Sequence, residues 1–240
     1  MAIKTFQHNQ HTYNIAYEIV NPSAKHDFVV LHGWGSNKEI MKKAFEPYLD
    51  QFRHIYIDLP GFGGSTNHMV MDTQEYACVL EVFFELLGVK RDIIMGHSFG
   101  GKVATVLNPT LLVLLSTAGI TLPKPLSVQV KIKMTKIANA LGFGAFSKLF
   151  RAKDAQNLNQ IMYETFKKVV DEDFSSRFEN FNNKALICWG EDDTATPLIA
   201  GEKIHSLMQK SRFTSYQGDH FFFMQRSKAI STQISEEYLK

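Results

Sequence analysis

The sequence predicts a doubly wound α/β domain, built on a mostly parallel sheet with helices on both faces. Short apolar runs rich in β-branched and aromatic residues recur along the chain, and helical patterns separate them. Continuously apolar strands suit a sheet that is covered on both faces, and the alternation of strands with helices favours parallel order. A length of 240 residues and a hydrophobic fraction of 45% allow one such domain with a sizeable core.

The predicted elements follow one another in a regular order. The segment HTYNIAYEIV alternates polar and apolar residues, which predicts a strand with one buried face. Further strands are predicted at DFVVLHG, HIYIDLPG, RDIIMGHS, TLLVLLST, KALICWG and SRFTSYQG. Helical patterns cover residues 37–49, 73–87, 197–208 and 221–238. The alternation stops between residues 121 and 183, where the pattern is helical without a clear strand. Because this stretch lies between two apolar strands, we expect a helical cap (121–183) inserted into a core of residues 1–120 and 184–240.

Composition and sequence features indicate the cellular location of the protein and the classes of partner that it binds. The formal net charge is only +2, which gives no indication of nucleic-acid binding. The two cysteines, Cys78 and Cys188, lie in apolar runs, which favours reduced thiols over a disulfide. The N-terminal segment lacks the apolar stretch of a secretory signal, and no run approaches the roughly 20 apolar residues that span a bilayer. We therefore expect a soluble, cytoplasmic protein without a nucleic-acid partner.

The strongest local signal is a G-x-S-x-G motif at residues 96–100, directly after the strand RDIIM and before a helical start. This context is typical of a nucleophile elbow, in which glycines relieve crowding around a strained serine. The turn would lift the Ser98 hydroxyl above the sheet and aim the main-chain N–H of Phe99 at the same space. A second turn, HGWG, ends the strand DFVVL one crossover earlier, and its glycines allow the N–H of Trp34 to act as another oxyanion donor.

A serine hydroxyl needs a base within hydrogen-bond reach and a third group that orients the base. The chain supplies both after later strands, in the order Ser, Asp, His. Asp193 follows KALICWG and His220 follows SRFTSYQG, so both would project from the carboxyl ends of strands. Asp192 competes with Asp193 for the orienting role, and Asp193 is preferred because it stands four residues before Pro197. No set of histidines and carboxylates has metal-ligand spacing, so neither a metal nor a cofactor is expected.

Together, the motifs HGWG, DLPGFGGS, GHSFGG, WGEDDTATP and GDH resemble those of the alpha/beta-hydrolase superfamily, over most of the chain outside the insertion. The resemblance implies the alpha/beta-hydrolase fold. It assigns the triad and the two oxyanion donors to the same residues: Ser98, Asp193, His220, Trp34 and Phe99. It also implies hydrolysis of a carboxylic ester or related small acyl substrate through an acyl-enzyme. Asp58, in DLPGFGGS, is similar to a structural turn carboxylate of the family and has no implied chemistry.

Other interpretations stay open at the level of sequence. The same triad would serve a carbon–carbon bond hydrolase of a 2-hydroxy-6-oxo-dienoate substrate. That branch often has asparagine before the serine and tryptophan soon after the histidine, whereas this chain has His97 and an FFF run. His97 is instead expected to pack. A catalytically silent binding protein on the same fold is the alternative of another class. The segment GHSFGGKV also approaches a phosphate-binding loop, but Val103 lacks the hydroxyl that would hold Mg²⁺.

The predicted cap is basic. Residues 121–170 carry nine basic and two acidic groups, a net charge of +7, with apolar residues interleaved. An apolar face with a basic edge suits a lid over an acyl pocket. The charge has three interpretations: a solvated face, attraction of an anionic substrate or an acidic carrier protein, and contact with an anionic membrane surface. The HGWG and DLPGFG pair resembles pimeloyl-acyl-carrier-protein methyl ester esterases, which implies an acidic carrier as partner.

Overall fold

The computed structural model describes residues 1–121 and 159–239. Within these ranges the chain forms an eight-stranded sheet in the order β1-β2-β4-β3-β5-β6-β7-β8. The strands are β1 Ala2–His8, β2 His11–Val20, β3 His26–Leu31, β4 Phe52–Ile57, β5 Ile93–His97, β6 Leu111–Leu115, β7 Lys184–Gly190 and β8 Ser211–Tyr216. The β1–β2 and β2–β4 pairs are antiparallel and every other neighbouring pair is parallel. The prediction of a mostly parallel sheet is therefore confirmed.

Helices cover both faces of this sheet. In the described ranges they are α1 Lys38–Phe45, α2 Thr73–Leu87, α3 Phe99–Leu107, α4 Gln160–Val170, α5 Ser175–Glu179, α6 Leu198–Leu207 and α7 Phe223–Tyr238. One apolar cluster packs α2 to α6 against one face, and a second packs α1 and α7 against the other. Strands β5 and β6 are buried along their whole length, as a sheet covered on both faces requires.

Strand β1 is absent from the predicted set, and its burial explains why. It pairs with β2 at the edge of the sheet, where only Phe6 of its seven residues is buried. An edge strand with one buried side chain leaves little hydrophobic pattern in the sequence. The connection to β2 is a two-residue turn, Asn9-Gln10, in which both residues have positive φ, at 47° and 65°. Two such residues are typical of the tight hairpin turn that matches strand twist.

The predicted cap lies partly outside the described residues. Residues 122–158, with seven of the nine basic groups in the stretch 121–170, fall outside them. Residues 159–183 form α4 and α5 between β6 and β7. Helix α4 is bonded to the core, since the Met71 N–H donates to the Thr165 hydroxyl at 3.2 Å. The division into core and cap stays a prediction.

Two further observations concern the length of the helices and the state of the cysteines. No helix in the described ranges is long and apolar enough to cross a membrane. Both cysteines are free thiols: Cys188 is buried, and Cys78 is partly exposed. Burial raises the pKa of the Cys188 thiol to about 12, so it stays protonated at neutral pH. The cytoplasmic location stays a prediction.

Candidate active site

The predicted nucleophile occupies the junction between β5 and α3. Because β5 ends at His97 and α3 begins at Phe99, Ser98 alone makes the turn from strand to helix. Its φ of 51° and ψ of −117° lie in a region that strains a non-glycine residue by about 1–3 kcal/mol. The flanking glycines make the turn possible, since a Cβ on Gly96 would stand 2.3 Å from the carbonyl oxygen of Gly100.

Hydrogen bonds to the neighbouring strand hold this turn in place. The Ser98 N–H donates to the Leu115 carbonyl at 3.0 Å, at the end of β6. The Ser98 carbonyl accepts from the Ala118 N–H at 3.1 Å and from the Thr117 hydroxyl at 3.0 Å. The strained residue is therefore fixed from both sides, and its hydroxyl remains available to a ligand.

The turn after β3 lies directly against Ser98. A Cβ on Gly33 would stand 3.1 Å from the Cβ of Ser98, so a larger residue there would push the two turns apart. His32 holds this turn, because its Nδ1 donates to the Gly33 carbonyl at 2.7 Å while its Nε2 accepts from the Leu59 N–H at 3.0 Å. The carbonyl and N–H of a trans peptide point in opposite directions, so fixing the Gly33 carbonyl also fixes the Trp34 N–H.

The environment keeps His32 in this neutral form. The side chain is fully buried, and burial lowers its pKa to about 4. Protonation would place a hydrogen on Nε2 and break the bond from the Leu59 N–H. In the part of the chain that the structure describes, neither the Trp34 N–H nor the Phe99 N–H is paired with an acceptor. Both main-chain donors are therefore free to bind a ligand oxygen.

Asp193 and His220 meet beyond the carboxyl ends of β7 and β8. The Nδ1 of His220 lies 2.7 Å from the Oδ2 of Asp193. The carboxylate also accepts from the N–H groups of Ala195 and Thr196, at 2.8 and 2.9 Å, and from the Thr196 hydroxyl at 2.8 Å. Burial alone would raise the pKa of Asp193, but the hydrogen bonds from His220 and Thr196 outweigh it and hold the pKa at about 2.

The charge on Asp193 determines which nitrogen of His220 carries the hydrogen. An ionised carboxylate can only accept, so Nδ1 must be the donor and the neutral ring keeps a lone pair on Nε2. This is the tautomer that a general base requires. The competing residue, Asp192, is exposed, whereas Asp193 is only 5% exposed. The geometry therefore selects Asp193 as the partner of His220.

A cavity of about 530 Å³ joins these groups. Ser98 and His220 line it together with Trp34 and Phe99. Ser98 Oγ is not hydrogen-bonded to His220 within the described ranges; such bonds in hydrolases commonly tighten only when substrate binds. The remaining walls are largely apolar and include Ala118, Ile120, Phe166, Val169, Val170, Pro197, Ala200 and Phe221. Within the described ranges, no group of three or more His, Cys, Asp or Glu side chains is arranged to hold a metal ion.

Behind Ser98, the side chain of Lys102 connects α3 to the end of α4. It lies one helical turn after Ser98 and is 1% exposed. Its Nζ donates to the Val169 carbonyl at 2.6 Å and pairs with the Glu172 carboxylate at 2.8 Å. Burial lowers the pKa of Lys102, although Glu172 opposes that effect. This pairing removes the support for a phosphate-binding loop. No local pattern could reveal it, because Glu172 lies far away in sequence.

Asp58 lies at the end of β4, and its contacts are of another kind. It is 1% exposed and accepts from the Lys38 N–H at 2.7 Å, the Lys38 Nζ at 3.0 Å and the Gly64 N–H at 2.9 Å. These bonds join the start of α1 to the turn that follows β4. The side chain is not among those that line the cavity, which agrees with a structural role.

Comparison with known proteins agrees with this geometry. A family profile described as alpha/beta hydrolase fold matches residues 28–108, a range that includes both glycine-containing turns and α3. The uncharacterized hydrolase YugF of Bacillus subtilis is 25% identical over 268 aligned positions, which cover 93% of each chain. The chain therefore has the alpha/beta-hydrolase fold.

Two further matches are to esterases. The pimeloyl-[acyl-carrier protein] methyl ester esterase of Vibrio atlanticus is 37% identical over 79 residues, which are 33% of this chain and 29% of that protein. This match thus spans less than a third of the relative. An esterase from Exiguobacterium antarcticum, EaEST, has the same fold, with a TM-score of 0.74 and 20% identity over 95% of this chain and 96% of that one. The matches are thus to hydrolases and esterases, and they support an esterase-like hydrolase of the alpha/beta fold.

Proposed function

We propose that this protein is a serine hydrolase that cleaves carboxylic esters or related acyl compounds through a covalent acyl-enzyme. One observation carries the proposal. The strained Ser98 turn lines the same cavity as His220, whose Nδ1 lies 2.7 Å from the buried carboxylate of Asp193. A hydroxyl becomes a useful nucleophile when an oriented base can remove its proton, and this arrangement provides such a base.

In the first half of the proposed reaction, Ser98 Oγ attacks the carbonyl carbon of the substrate while its proton passes to the Nε2 of His220. The Nδ1–H of His220 stays bonded to Asp193, whose negative charge stabilises the imidazolium. The carbonyl oxygen gains negative charge and is bound by the Trp34 and Phe99 N–H groups, the second of them at the positive end of α3. Each such donor typically contributes about 10²- to 10³-fold to the rate.

In the second half, the tetrahedral intermediate collapses and the bond to the leaving alkoxide breaks. His220 gives its proton to that oxygen, and the alcohol leaves an ester between Ser98 Oγ and the acyl group. A water molecule then attacks the acyl carbon, with His220 again accepting a proton. The carboxylic acid leaves, and the proton returns to Ser98.

The walls of the cavity support an acyl substrate. Its volume of about 530 Å³ falls in the range of small-molecule sites, and the side chains from α4 and α6 that face it are mostly apolar. The basic stretch 121–170 and the similarity to a pimeloyl-[acyl-carrier protein] methyl ester esterase support a narrower form of the proposal. In that form the acyl chain is presented on an acidic carrier protein.

The test is turnover of p-nitrophenyl esters of increasing acyl length by wild type and by Ser98→Ala. We expect Ser98→Ala to lose at least about 10³-fold in kcat/KM, because the nucleophile is gone. The matched control is Ser206→Ala, which removes an exposed serine hydroxyl on α6 and should leave turnover unchanged. For the narrower form, hydrolysis of a carrier-bound acyl methyl ester is compared with hydrolysis of the free ester; equal rates would remove the carrier from the proposal.

A fluorophosphonate probe, which labels activated serines, separates the alternatives. Labelling at Ser98 together with ester turnover supports the proposal. Labelling without turnover of any ester would contradict the substrate class and favour a carbon–carbon substrate of the dienoate type. Folded wild type that is neither labelled nor active on either substrate class would contradict a serine hydrolase and favour a binding protein.

A further inference from the structure

His97 separates the nucleophile turn from the loop that carries His220. It is the last residue of β5, directly before Ser98, and is only 2% exposed. Its ring centroid lies 4.5 Å from that of His220, and the rings of Phe221 and Phe223 lie 5.3 and 4.9 Å away on the same loop and the helix that follows. His97 is not among the residues that line the cavity.

The side chain of His97 also makes a directed bond. Its Nε2 lies 2.9 Å from the main-chain carbonyl oxygen of His220. A carbonyl can only accept, so Nε2 must carry the hydrogen. The other nitrogen, Nδ1, is buried without a hydrogen-bond partner. Burial, with His220 alongside, lowers the pKa of His97 to about 3, so the ring stays neutral at neutral pH and keeps Nε2 as its donor.

The topology explains why such a bond is needed. Strands β5 and β8 are separated by β6 and β7, which places their ends roughly 14 Å apart at ordinary strand spacing. The loop after β8 must therefore turn back across two strands to bring His220 near Ser98. Its main-chain hydrogen bonds in the described ranges are local or reach the loop after β7, as when the Gly218 carbonyl accepts from the Asp192 N–H. Among the described residues, the bond from His97 joins this loop to β5, the strand that ends directly before Ser98.

We propose that His97 is a positioning residue whose Nε2–H anchors the main chain of His220 beside β5, so that the imidazole can reach Ser98 when substrate binds. This inference rests on the proposed function. A packing role alone would depend on the size and apolarity of the ring. A positioning role depends on the hydrogen at Nε2. Because His97 does not line the cavity, losing that hydrogen should lower kcat and leave KM unchanged.

Two substitutions separate the donor from the ring. In His97→Gln, the amide nitrogen lies at the same reach from the main chain as Nε2 and keeps the donor without the ring. In His97→Met, a side chain of similar length fills the space without a donor. The matched control is His54→Met. It removes another buried histidine, which bonds the Leu49 carbonyl at 2.8 Å and the Tyr56 hydroxyl at 2.9 Å away from the cavity.

The experiment measures kcat and KM for the best p-nitrophenyl ester, and the rate constant of fluorophosphonate labelling on folded protein isolated by gel filtration. We expect His97→Met to lose about 10- to 100-fold in kcat and in labelling rate, with KM within about twofold. His97→Gln should restore kcat to within about threefold of wild type. His54→Met should keep the kcat and KM of wild type, even if it unfolds at a lower temperature.

Several results would overturn the inference. One is a folded His97→Met variant with the kcat and labelling rate of wild type; another is a folded His97→Gln variant that is as slow as His97→Met. If His97→Met does not fold, His97→Gln alone tests the inference, and it must retain both the kcat and the labelling rate of wild type. Failure of the underlying proposal is distinguishable, because wild type itself would then show neither turnover nor labelling. The role of His97 in positioning the base would fall with it.

Discussion

Two buried carboxylates in this molecule have similar surroundings and different partners. Asp58 follows β4 and Asp193 follows β7, both beyond the carboxyl end of a parallel strand. Each accepts two main-chain N–H groups from the turn or helix start beside it. Their side-chain partners differ: Asp58 accepts from the ammonium of Lys38, whereas Asp193 accepts from the imidazole of His220.

The partner decides what each carboxylate can do. Burial alone would lower the pKa of Lys38, but the hydrogen bonds to Glu39 and Asp58 outweigh it and raise the pKa. Lys38 therefore stays charged at neutral pH, and its pair with Asp58 is a fixed bond between α1 and the loop after β4. An imidazole can accept and release a proton during a reaction, so in the proposed mechanism Asp193 stabilises a charge that exists for only part of the cycle. Burial and hydrogen bonding therefore do not distinguish a structural carboxylate from a functional one; the chemistry of the partner does.

The largest expected effect separates Asp193 from its exposed neighbour. Asp193→Asn should lower kcat for ester hydrolysis by about 10⁴-fold, because an amide can stabilise neither the Nδ1–H tautomer of His220 nor its imidazolium. Steady-state kinetics on the best ester measure the loss. Asp192→Asn is the matched control and should stay within about twofold of wild type. Comparable losses in the two variants would show that Asp193 is not the orienting acid.

The next effect is on stability and concerns Asp58. Asp58→Asn should lower the free energy of unfolding by about 3 kcal/mol, because Lys38 is left buried with only the exposed Glu39 carboxylate, 3.0 Å away, as partner. Urea denaturation measures the change. Glu39→Gln, which removes only that exposed partner, should change stability by less than about 0.5 kcal/mol. If Asp58→Asn were as stable as wild type, the pair would not be a structural bond.

The smallest expected effect is the change with pH in the stability that the Asp193 carboxylate contributes. The folded-state pKa of Asp193, about 2, lies below the value of about 3.9 in an unfolded chain. The ionised carboxylate therefore contributes stability that is fully present above pH 3.9 and is lost as pH falls through 2. The stability difference between wild type and Asp193→Asn should shrink by about 2–3 kcal/mol between pH 5 and pH 2. A stability difference that stays constant between pH 5 and pH 2 would contradict this.

Much of the fold could be predicted from local sequence. The bounds predicted for β2, α2 and β7 agree with His11–Val20, Thr73–Leu87 and Lys184–Gly190 residue for residue. These elements are half or fully buried, so hydrophobic periodicity marks them clearly. Strand β1 could not be predicted, because pairing at a sheet edge satisfies its main chain while its side chains stay exposed.

The candidate site also contains some residues whose roles local sequence could predict and others whose roles it could not. Ser98, Asp193 and His220 could be proposed because each sits in a short motif at the end of a strand, and parallel strands bring such ends to one edge. The bond from His97 to the His220 loop could not, since packing was the only role that its local sequence indicated. The Lys102–Glu172 pair is another case, because the residues that form it are distant in sequence and neither has a diagnostic pattern.

The Lys102–Glu172 pair also limits how the proposed acyl pocket can be re-engineered. Helix α4 supplies Phe166 and Val169 to the cavity wall, and Lys102 on α3 binds the end of this helix. Shifting α4 outward to admit a bulkier acyl group would leave the buried Lys102 ammonium without a partner. That change would lower the free energy of unfolding by several kcal/mol. Directed evolution toward larger substrates should therefore first exchange Lys102 and Glu172 together for an apolar pair, and only then trim the wall.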